Sequence, residues 1–435
     1  MRTNRRSGLA ALGVALGLAI GVTNCGEDKT TEPTAPTAEA KSVHAGHGGA
    51  DKTLYIWASD QAREEADFIA VIDFDSRSPS YGKVLSTVPV PPPGNVGNEA
   101  HHCHTSQDQL VLACGGLLSL LKGQNSFFFF DISHARQPRF MRTGNAPNSS
   151  ITDDFLPLPG GGFLVTNMGS ASGGPGGRVV ELDNAMRTIA EYPTTSPADG
   201  GFNPHGIDAD IGKNLLVTSD FINPVTTLNA VPGPLELRSS LRFWNFRDRR
   251  IVRTVVLPDA AGTMDVKLIP HDPRGRAITA NMFTGKIYTV DPDGSFVEAF
   301  DGETLAPQGD VRGGMIQLLA VTPDGKRLIF NRFMTGQVVM LDITNPREFK
   351  SVSVVNLGPN SGPHSVHLTH DGRRLVVIDY FLDQDDFGKV HLEGDHKVRV
   401  LTVSDDGLAV DPGFAPVDFS TAFDRPARPH GMGMK

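Results

Sequence analysis

Cysteine is scarce, with only 3 in 435 residues, one of which, Cys25, sits at the end of an N-terminal apolar run. The two that remain, Cys103 and Cys114, exclude a disulfide framework as the source of stability for a chain this long. A single bridge between them is compatible with an oxidising compartment. The simpler reading makes Cys114, which follows Leu110-Val111-Leu112-Ala113, a small buried apolar residue. Positive charge is also in short supply: at a formal charge of -9 no basic stripe is available to neutralise phosphates, so nucleic acid is excluded as a partner. Long helical patterns are few, and no Gly-x-Ser-x-Gly elbow, Walker loop or dinucleotide fingerprint occurs, which removes support for the common hydrolase and nucleotide-binding readings.

The one long apolar run, Leu9 to Val22, follows Arg2, Arg5 and Arg6 and ends at Cys25. It is too short to span a bilayer comfortably, and its basic start marks an export signal over residues 1–25. Cys25 opens a Pro/Thr/His-rich linker over residues 26–51, the arrangement of a bacterial lipoprotein whose cysteine is lipidated. Val22-Thr23-Asn24 departs from the Leu-Ala-Gly type of lipoprotein signal, which leaves free secretion as the alternative; Arg5-Arg6 weakly resembles a twin-arginine signal. The expected location is the periplasm or the outer cell surface. His44 and His47 in the linker read as solvated.

What the chain has in abundance is turn residues, 47 Gly and 31 Pro, between short Val/Ile/Leu/Phe runs, the composition of a mostly β protein. One unit repeats: an apolar strand ending in Asp or Asn, a turn, then another short strand. Its copies are Val71-Ile72-Asp73, Phe129-Phe130-Asp131, Glu181-Leu182-Asp183, Phe243-Trp244-Asn245, Thr289-Val290-Asp291, Met340-Leu341-Asp342 and a degenerate Thr402-Val403-Ser404. Hairpins with Gly-containing turns precede most of them, as at Asp324-Gly325 and Asp371-Gly372. The expected fold over residues 52–435 is an all-β, seven-bladed β-propeller. Leu54-Tyr55-Ile56-Trp57 looks like a second strand with no first strand ahead of it, and His430-Gly431-Met432-Gly433-Met434 like an orphan first strand. The C-terminal strand is therefore expected to close the ring. The Phe127 to Phe130 run is expected to be a middle strand packed on both faces.

Three Pro-His-small steps, Pro204-His205-Gly206, Pro363-His364-Ser365 and Pro429-His430-Gly431, stand far apart in sequence. In a propeller the opening residues of each first strand lie at one mouth of the central channel. Aligned on the hairpins, these spokes read His430, His101 or His102, Asn148, His205, Met264 or Asp265, Gln317 and His364. Imidazoles on separate rigid strands suit copper, zinc or iron, and an all-histidine set without thiolate fits copper or non-haem iron better than a closed zinc site. The metal set is thus His101, His102, His205, His364 and His430. His104 and His367, with His391 and His396, are candidates to orient the ligands; His271 and His370 read as structural and His134 as an outer-turn residue. Glu99, Asp153, Asp154, Asp208 and Asp265 stand at the mouth, and Glu99 and Asp265 are the expected proton carriers.

Asp67-Phe68-Ile69-Ala70-Val71-Ile72-Asp73, Ser78-Pro79-Ser80-Tyr81, Asn98-Glu99-Ala100-His101-His102, Ile269-Pro270-His271-Asp272-Pro273, Gly362-Pro363-His364-Ser365-Val366-His367 and Pro429-His430 together resemble the selenium-binding protein family, whose bacterial members include copper-dependent methanethiol oxidases. The resemblance covers most of the chain thinly, and the adjacent histidine pair is its specific part. It implies a seven-bladed propeller, a histidine-bound copper and oxidation of methanethiol by oxygen to formaldehyde, hydrogen sulfide and hydrogen peroxide. His101, His102, His364 and His430 match family positions best. Two departures stand out: Ala58 replaces the selenium-associated cysteine, and Pro147-Asn148-Ser149-Ser150-Ile151-Thr152 lacks the imidazoles of the family's Pro-His-x-x-His-Cys, for which His205 is the expected substitute. A small sulfur compound and oxygen are then the partners, with a membrane tether through Cys25. The competing readings are a non-catalytic metal- or ligand-binding propeller and a lactonase-like hydrolase, suggested by Thr322-Pro323-Asp324-Gly325-Lys326 and needing carboxylates rather than imidazoles at the channel.

Overall fold

The Asp or Asn that ends each repeat is a turn-former, and its side chain reverses the chain. In the computed structural model the Asp73 carboxylate accepts from the Ser78 and Ser80 hydroxyls, Asp131 from the Ser133 amide, Asp183 from the Ala185 and Arg187 amides, and Asp342 from the Thr344 amide. Each of these residues ends or directly follows the third strand of a blade: Phe68–Asp73, Phe127–Asp131, Arg178–Leu182 and Gln337–Asp342. The structure describes residues 50–195, 201–228, 234–305, 314–384 and 391–435. The expected signal, the lipidation site Cys25 and the linker histidines lie outside them.

Seven antiparallel blades form an all-β propeller. Their innermost strands are, for blades 1 to 7, Ala427–Met434, Ala100–Thr105, Ser149–Pro157, Pro204–Asp210, Thr263–Leu268, Ile316–Val321 and Ser365–Leu368. Blade 1 is made from both ends of the ring: Ala427–Met434 pairs antiparallel with Thr53–Asp60, which pairs with Phe68–Asp73 and that with Val84–Pro89. The last residue locks the seam further, since the Lys52 and Thr53 amides both donate to the Lys435 carbonyl at 2.7 Å. Gly431 is required there because a Cβ would collide with the His101 carbonyl oxygen of blade 2. Blade 7 carries an extra short hairpin, Leu382–Asp383 with His391–Leu392, between its second and third strands.

Apolar wedges between the blades form the core. The Phe127 to Phe130 run shows how: Phe128 and Phe130 pack with Trp57 and Tyr55 of blade 1, while Phe127 and Phe129 pack with Phe155 and Phe163 of blade 3. All four are fully buried, as a strand with two covered faces demands, and each contributes roughly 1.5–3 kcal/mol of transfer free energy. The sequence-level preference for Cys114 as an isolated small apolar residue is corrected here. Cys103 and Cys114 are cross-strand partners in blade 2 and are joined by a disulfide, because their register puts their Cα atoms 4.1 Å apart.

Candidate metal centre at the channel mouth

In a regular strand successive side chains point to opposite faces, yet His101 and His102 stack on one another with ring centroids 4.5 Å apart. A bulge in the inner strand makes this so: pairing with the second strand skips from Ala100 to Cys103. The same skip occurs at Thr152/Phe155, Pro204/Ile207, Thr263/Val266 and Ile316/Leu319, and in blade 1 the ladder shifts across His430. The first bulged residue of each blade is the spoke: His430, His101, Asp153, His205, Met264 and Gln317, with His364 at the same place in blade 7.

This register corrects one spoke. Asn148 is not in the channel; its amide groups donate to the Glu191 carboxylate on the outer strand of blade 3, and Asp153 takes its place. Asp153 was expected at the mouth as a carboxylate, and the signal that makes it the blade 3 spoke is its distance from the hairpin. The backbone amides of Ser106, Leu158, Ile269, Thr322 and Thr369 each close a first hairpin, and the spokes His101, Asp153, Met264, Gln317 and His364 each lie five residues before them. The Pro-Asn step at Pro147 lies too far upstream for that count.

All five predicted imidazoles converge. His364 Nε2 is 3.4 Å from His102 Nε2 and 3.1 Å from His430 Nε2. His101 sits 4.1 Å from the His430 ring and 4.5 Å from that of His102. Asp153 closes the other side: its Oδ2 is 3.1 Å from His101 Nε2, and its Oδ1 is 3.2 Å from His102 Nδ1 and 3.1 Å from His205 Nδ1. Among the described residues the possible ligand sets here are thus His101, His102 and His430, and His101, Asp153 and His205, sharing His101. His364 is oriented by Gln317, whose Oε1 accepts from its Nδ1 at 2.8 Å, so its Nε2 lone pair faces the cluster. Asn331 donates to the same Oε1 at 3.3 Å and to the Pro363 carbonyl at 2.6 Å, which sets the orientation of the Gln317 amide.

The electrostatics favour neutral imidazoles around one charged carboxylate. Burial pushes the His364 and His430 rings well below the ordinary imidazole value, and the neighbouring rings push the same way. Burial likewise lowers His205, to about 3, and lowers His101. Burial alone would raise Asp153, but His205, His102 and His101 hold it well below the usual carboxylate range. His102 is the exception among the rings: burial lowers it, and the Asp153 carboxylate more than compensates, so it is raised.

These residues fit a transition metal. Two nitrogens bound at about 2.0–2.1 Å to one ion, at right-angled to tetrahedral geometry, lie about 2.8–3.4 Å apart, the spacing between His364 Nε2 and the Nε2 atoms of His102 and His430. Three converging Nε2 atoms cannot all be satisfied by donating to one another, and His101 Nδ1 is buried without a hydrogen-bond partner.

The carboxylates expected to carry protons are engaged elsewhere. Glu99 accepts from the Tyr380 hydroxyl and pairs with Arg428 at 2.9 Å; burial raises its pKa. Asp265 accepts from the Val266 and Leu319 amides and from Lys267, at 2.7, 2.9 and 2.8 Å, tying blade 5 to blade 6. Asp208 ties blade 4 to blade 5 in the same way, through the Leu268 amide. His104 and His367 lie three residues beyond His101 and His364 on the same inner strands. Burial, then His104 and Lys267, hold His367 well below its ordinary value. His391 lies on the blade 7 hairpin against Asp383, and His396 against Glu393, both at 3.3 Å. His370 is bonded to Asp51 and His271 lies 3.1 Å from the Pro323 carbonyl, in line with structural roles.

Above the cluster lies an apolar pocket floored by His101, Asp153 and His205 and walled by Leu117, Ile151, Met168, Phe221, Met282 and Phe381. Its walls follow the second strands of several blades, which end at this mouth. The arrangement is a candidate metal-binding floor beneath walls of hydrocarbon and thioether.

Comparison with known proteins agrees with this geometry. The model of the 56kDa selenium binding protein (SBP56) family matches residues 30–435. A methanethiol oxidase of Hyphomicrobium sp is 25% identical over 356 residues, 75% of each chain. A human methanethiol oxidase is 22% identical over 435 residues, 85% of this chain and 89% of its own. The X-ray structure of a hypothetical selenium-binding protein from Sulfolobus tokodaii superposes with a TM-score of 0.73 at 18% identity, covering 91% of this chain and 97% of that one. A periplasmic gluconolactonase of Pseudomonas aeruginosa, with a TM-score of 0.57 at 15% identity over 88% of this chain and 99% of its own, shares the fold alone. With its propeller, its histidine register and a family match over nearly the whole length, the chain belongs to the selenium-binding protein (SBP56) family.

Proposed function

We propose that this protein is an exported, copper-dependent oxidase of a small thiol, of the methanethiol oxidase kind. The reaction converts methanethiol, oxygen and water to formaldehyde, hydrogen sulfide and hydrogen peroxide. The observation that carries the reading is the convergence of five imidazoles, two of which, His101 and His205, line an apolar pocket. His101, His102 and His430 would hold the metal, with His364 against His102 and His430, and His205 across Asp153. Copper bound there would supply a soft, redox-active centre for thiolate and oxygen. The donor set, imidazole without thiolate, is also compatible with iron and less so with zinc.

The chain's own residues do the rest. Gln317 fixes the His364 ring in the orientation that presents Nε2. Leu117, Phe221 and Phe381 exclude water, which strengthens every charge interaction below them. We assign proton acceptance to Asp153 rather than to Glu99 or Asp265. Its Oδ1 lies between His102 Nδ1 and His205 Nδ1, whereas Glu99 is paired to Arg428 and Asp265 to Lys267. Export is supported by the N-terminal apolar run and by the Cys103–Cys114 disulfide, a bond that persists in oxidising compartments. The periplasm or outer surface, with attachment at Cys25, is the corresponding location.

The test is metal analysis of protein matured in a periplasm, coupled to oxygen uptake with methanethiol and detection of hydrogen sulfide. Stoichiometric copper and thiol-dependent oxygen uptake, both lost in His102→Ala/His364→Ala, support the oxidase. Copper without oxygen uptake would mark a metal-binding propeller, and a copper-free active fraction would overturn the copper centre.

A further inference from the structure

The pocket is larger than methanethiol needs and it is chemically one-sided. It offers about 90 Å³ of space, several times the roughly 10–15 Å³ that a cavity needs to hold one water. Methanethiol is a methyl group and a sulfur. Beyond the floor residues His101, Asp153 and His205, the only polar side chains on the lining, among the described residues, are those of Thr227 and Gln384, and neither carries a charge. The walls are aliphatic, aromatic and thioether, with Met168 and Met282 both buried. A carboxylate placed against them would lose its hydration with nothing in return, and the one charge on the lining, Asp153, would repel it.

We infer that the substrate is an uncharged primary thiol with an apolar body of several carbons, such as butanethiol or benzyl mercaptan, its sulfur at the imidazole floor and its chain among Ile151, Met168, Phe221 and Met282. This rests on the oxidase reading. The chemistry balances as it does for methanethiol: one primary thiol, one dioxygen and one water give one aldehyde, one hydrogen sulfide and one hydrogen peroxide. A C–H bond and the C–S bond break, and the carbonyl forms with the oxygen of water. The sulfur leaves with protons as hydrogen sulfide, and the electron pair passes to dioxygen, which takes up protons to become hydrogen peroxide. Only a thiol with hydrogen on the carbon bearing sulfur can follow this course. Thiophenol, which lacks it, binds the same pocket and is not consumed.

The experiment is oxygen uptake by the metal-loaded protein with methanethiol, ethanethiol, butanethiol, benzyl mercaptan and cysteine, with thiophenol as competitor. kcat/KM is expected to rise roughly fourfold per methylene up to butanethiol, cysteine to be left unoxidised, and thiophenol to inhibit competitively. Met282→Trp should reverse the order, favouring methanethiol over butanethiol. A flat or falling series, or cysteine oxidised as well as butanethiol, overturns the inference and leaves the oxidase intact. If no thiol consumes oxygen, the oxidase reading falls separately. Anaerobic titration calorimetry with butanethiol against methanethiol then decides the chain-length preference: tighter binding of butanethiol upholds it and equal binding ends it.

Discussion

Blades 7, 1 and 2 share their backbone with blades 5 and 6 and differ in what they hang on it. In all five, the inner strand opens with a side chain aimed at the channel, from a bulge in blades 1, 2, 5 and 6. Blades 7, 1 and 2 place His364, His430 and the His101-His102 pair there, and blades 5 and 6 place Met264 and Gln317. The bulge is thus a general aiming device of the ring, and the metal centre is a choice of side chains at a few of its positions. The bland side is not idle. Gln317 holds His364, and Asp265, one residue past Met264, binds blade 5 to blade 6.

The comparison can be broken hardest at its seam. Deleting residues 427–435 removes the inner strand of blade 1 and His430 together. The loss is expected to exceed the roughly 5–15 kcal/mol that holds a typical domain folded, seen as absence of a cooperative thermal transition. Next comes His364→Ala, which should leave the fold cooperative and lower bound metal at least ~100-fold, read by metal analysis after dialysis. Asp153→Asn keeps the shape and removes the charge that three rings share. It should cut thiol-dependent oxygen uptake about 10²–10⁴-fold while retaining most of the metal. The same change at Glu99 or Asp265 should show instead as a lower Tm. Gln317→Leu tests whether the bland side positions the loaded side: about 10–100-fold weaker metal binding is expected, with partial recovery in Gln317→Glu.

The smallest effect is in pH dependence. His370 is raised above the ordinary imidazole value, first by its hydrogen bond to Asp51. A group whose folded pKa is raised contributes stability that is complete below its unfolded value of about 6.5 and lost as pH rises through the folded value. With the ring about a quarter exposed, at 26%, the contribution is at most about 1 kcal/mol. Asp51→Asn should therefore lower Tm at pH 5.5 and leave it nearly unchanged at pH 8.5.

Much of this was legible residue by residue. The Asp-ended third strands and Gly hairpins count the blades, since both turn types depend on local chemistry alone. The imidazoles were legible because proline steps and a repeated register mark them. Asp153 was legible as a carboxylate at the mouth but not as the blade 3 spoke, because that blade begins its inner strand at Ser149 and reaches the bulge later than the Pro147 step suggests. The disulfide stood only as an alternative, since two cysteines eleven residues apart meet only if their strands pair in that register. The engagement of Glu99 was out of reach for another reason: its partners Tyr380 and Arg428 arrive from blades 7 and 1.

The amino-acid order alone settles the repeat, the open ends that must meet, and the side chains available at each spoke, because turn propensity and strand periodicity act over a few residues. Which of those side chains share one point, which carboxylate keeps its charge among them, and how much apolar space lies above are properties of ring closure. Burial and mutual repulsion between imidazoles exist only once seven blades bring them within a few ångströms, and only then does a set of scattered histidines become a site.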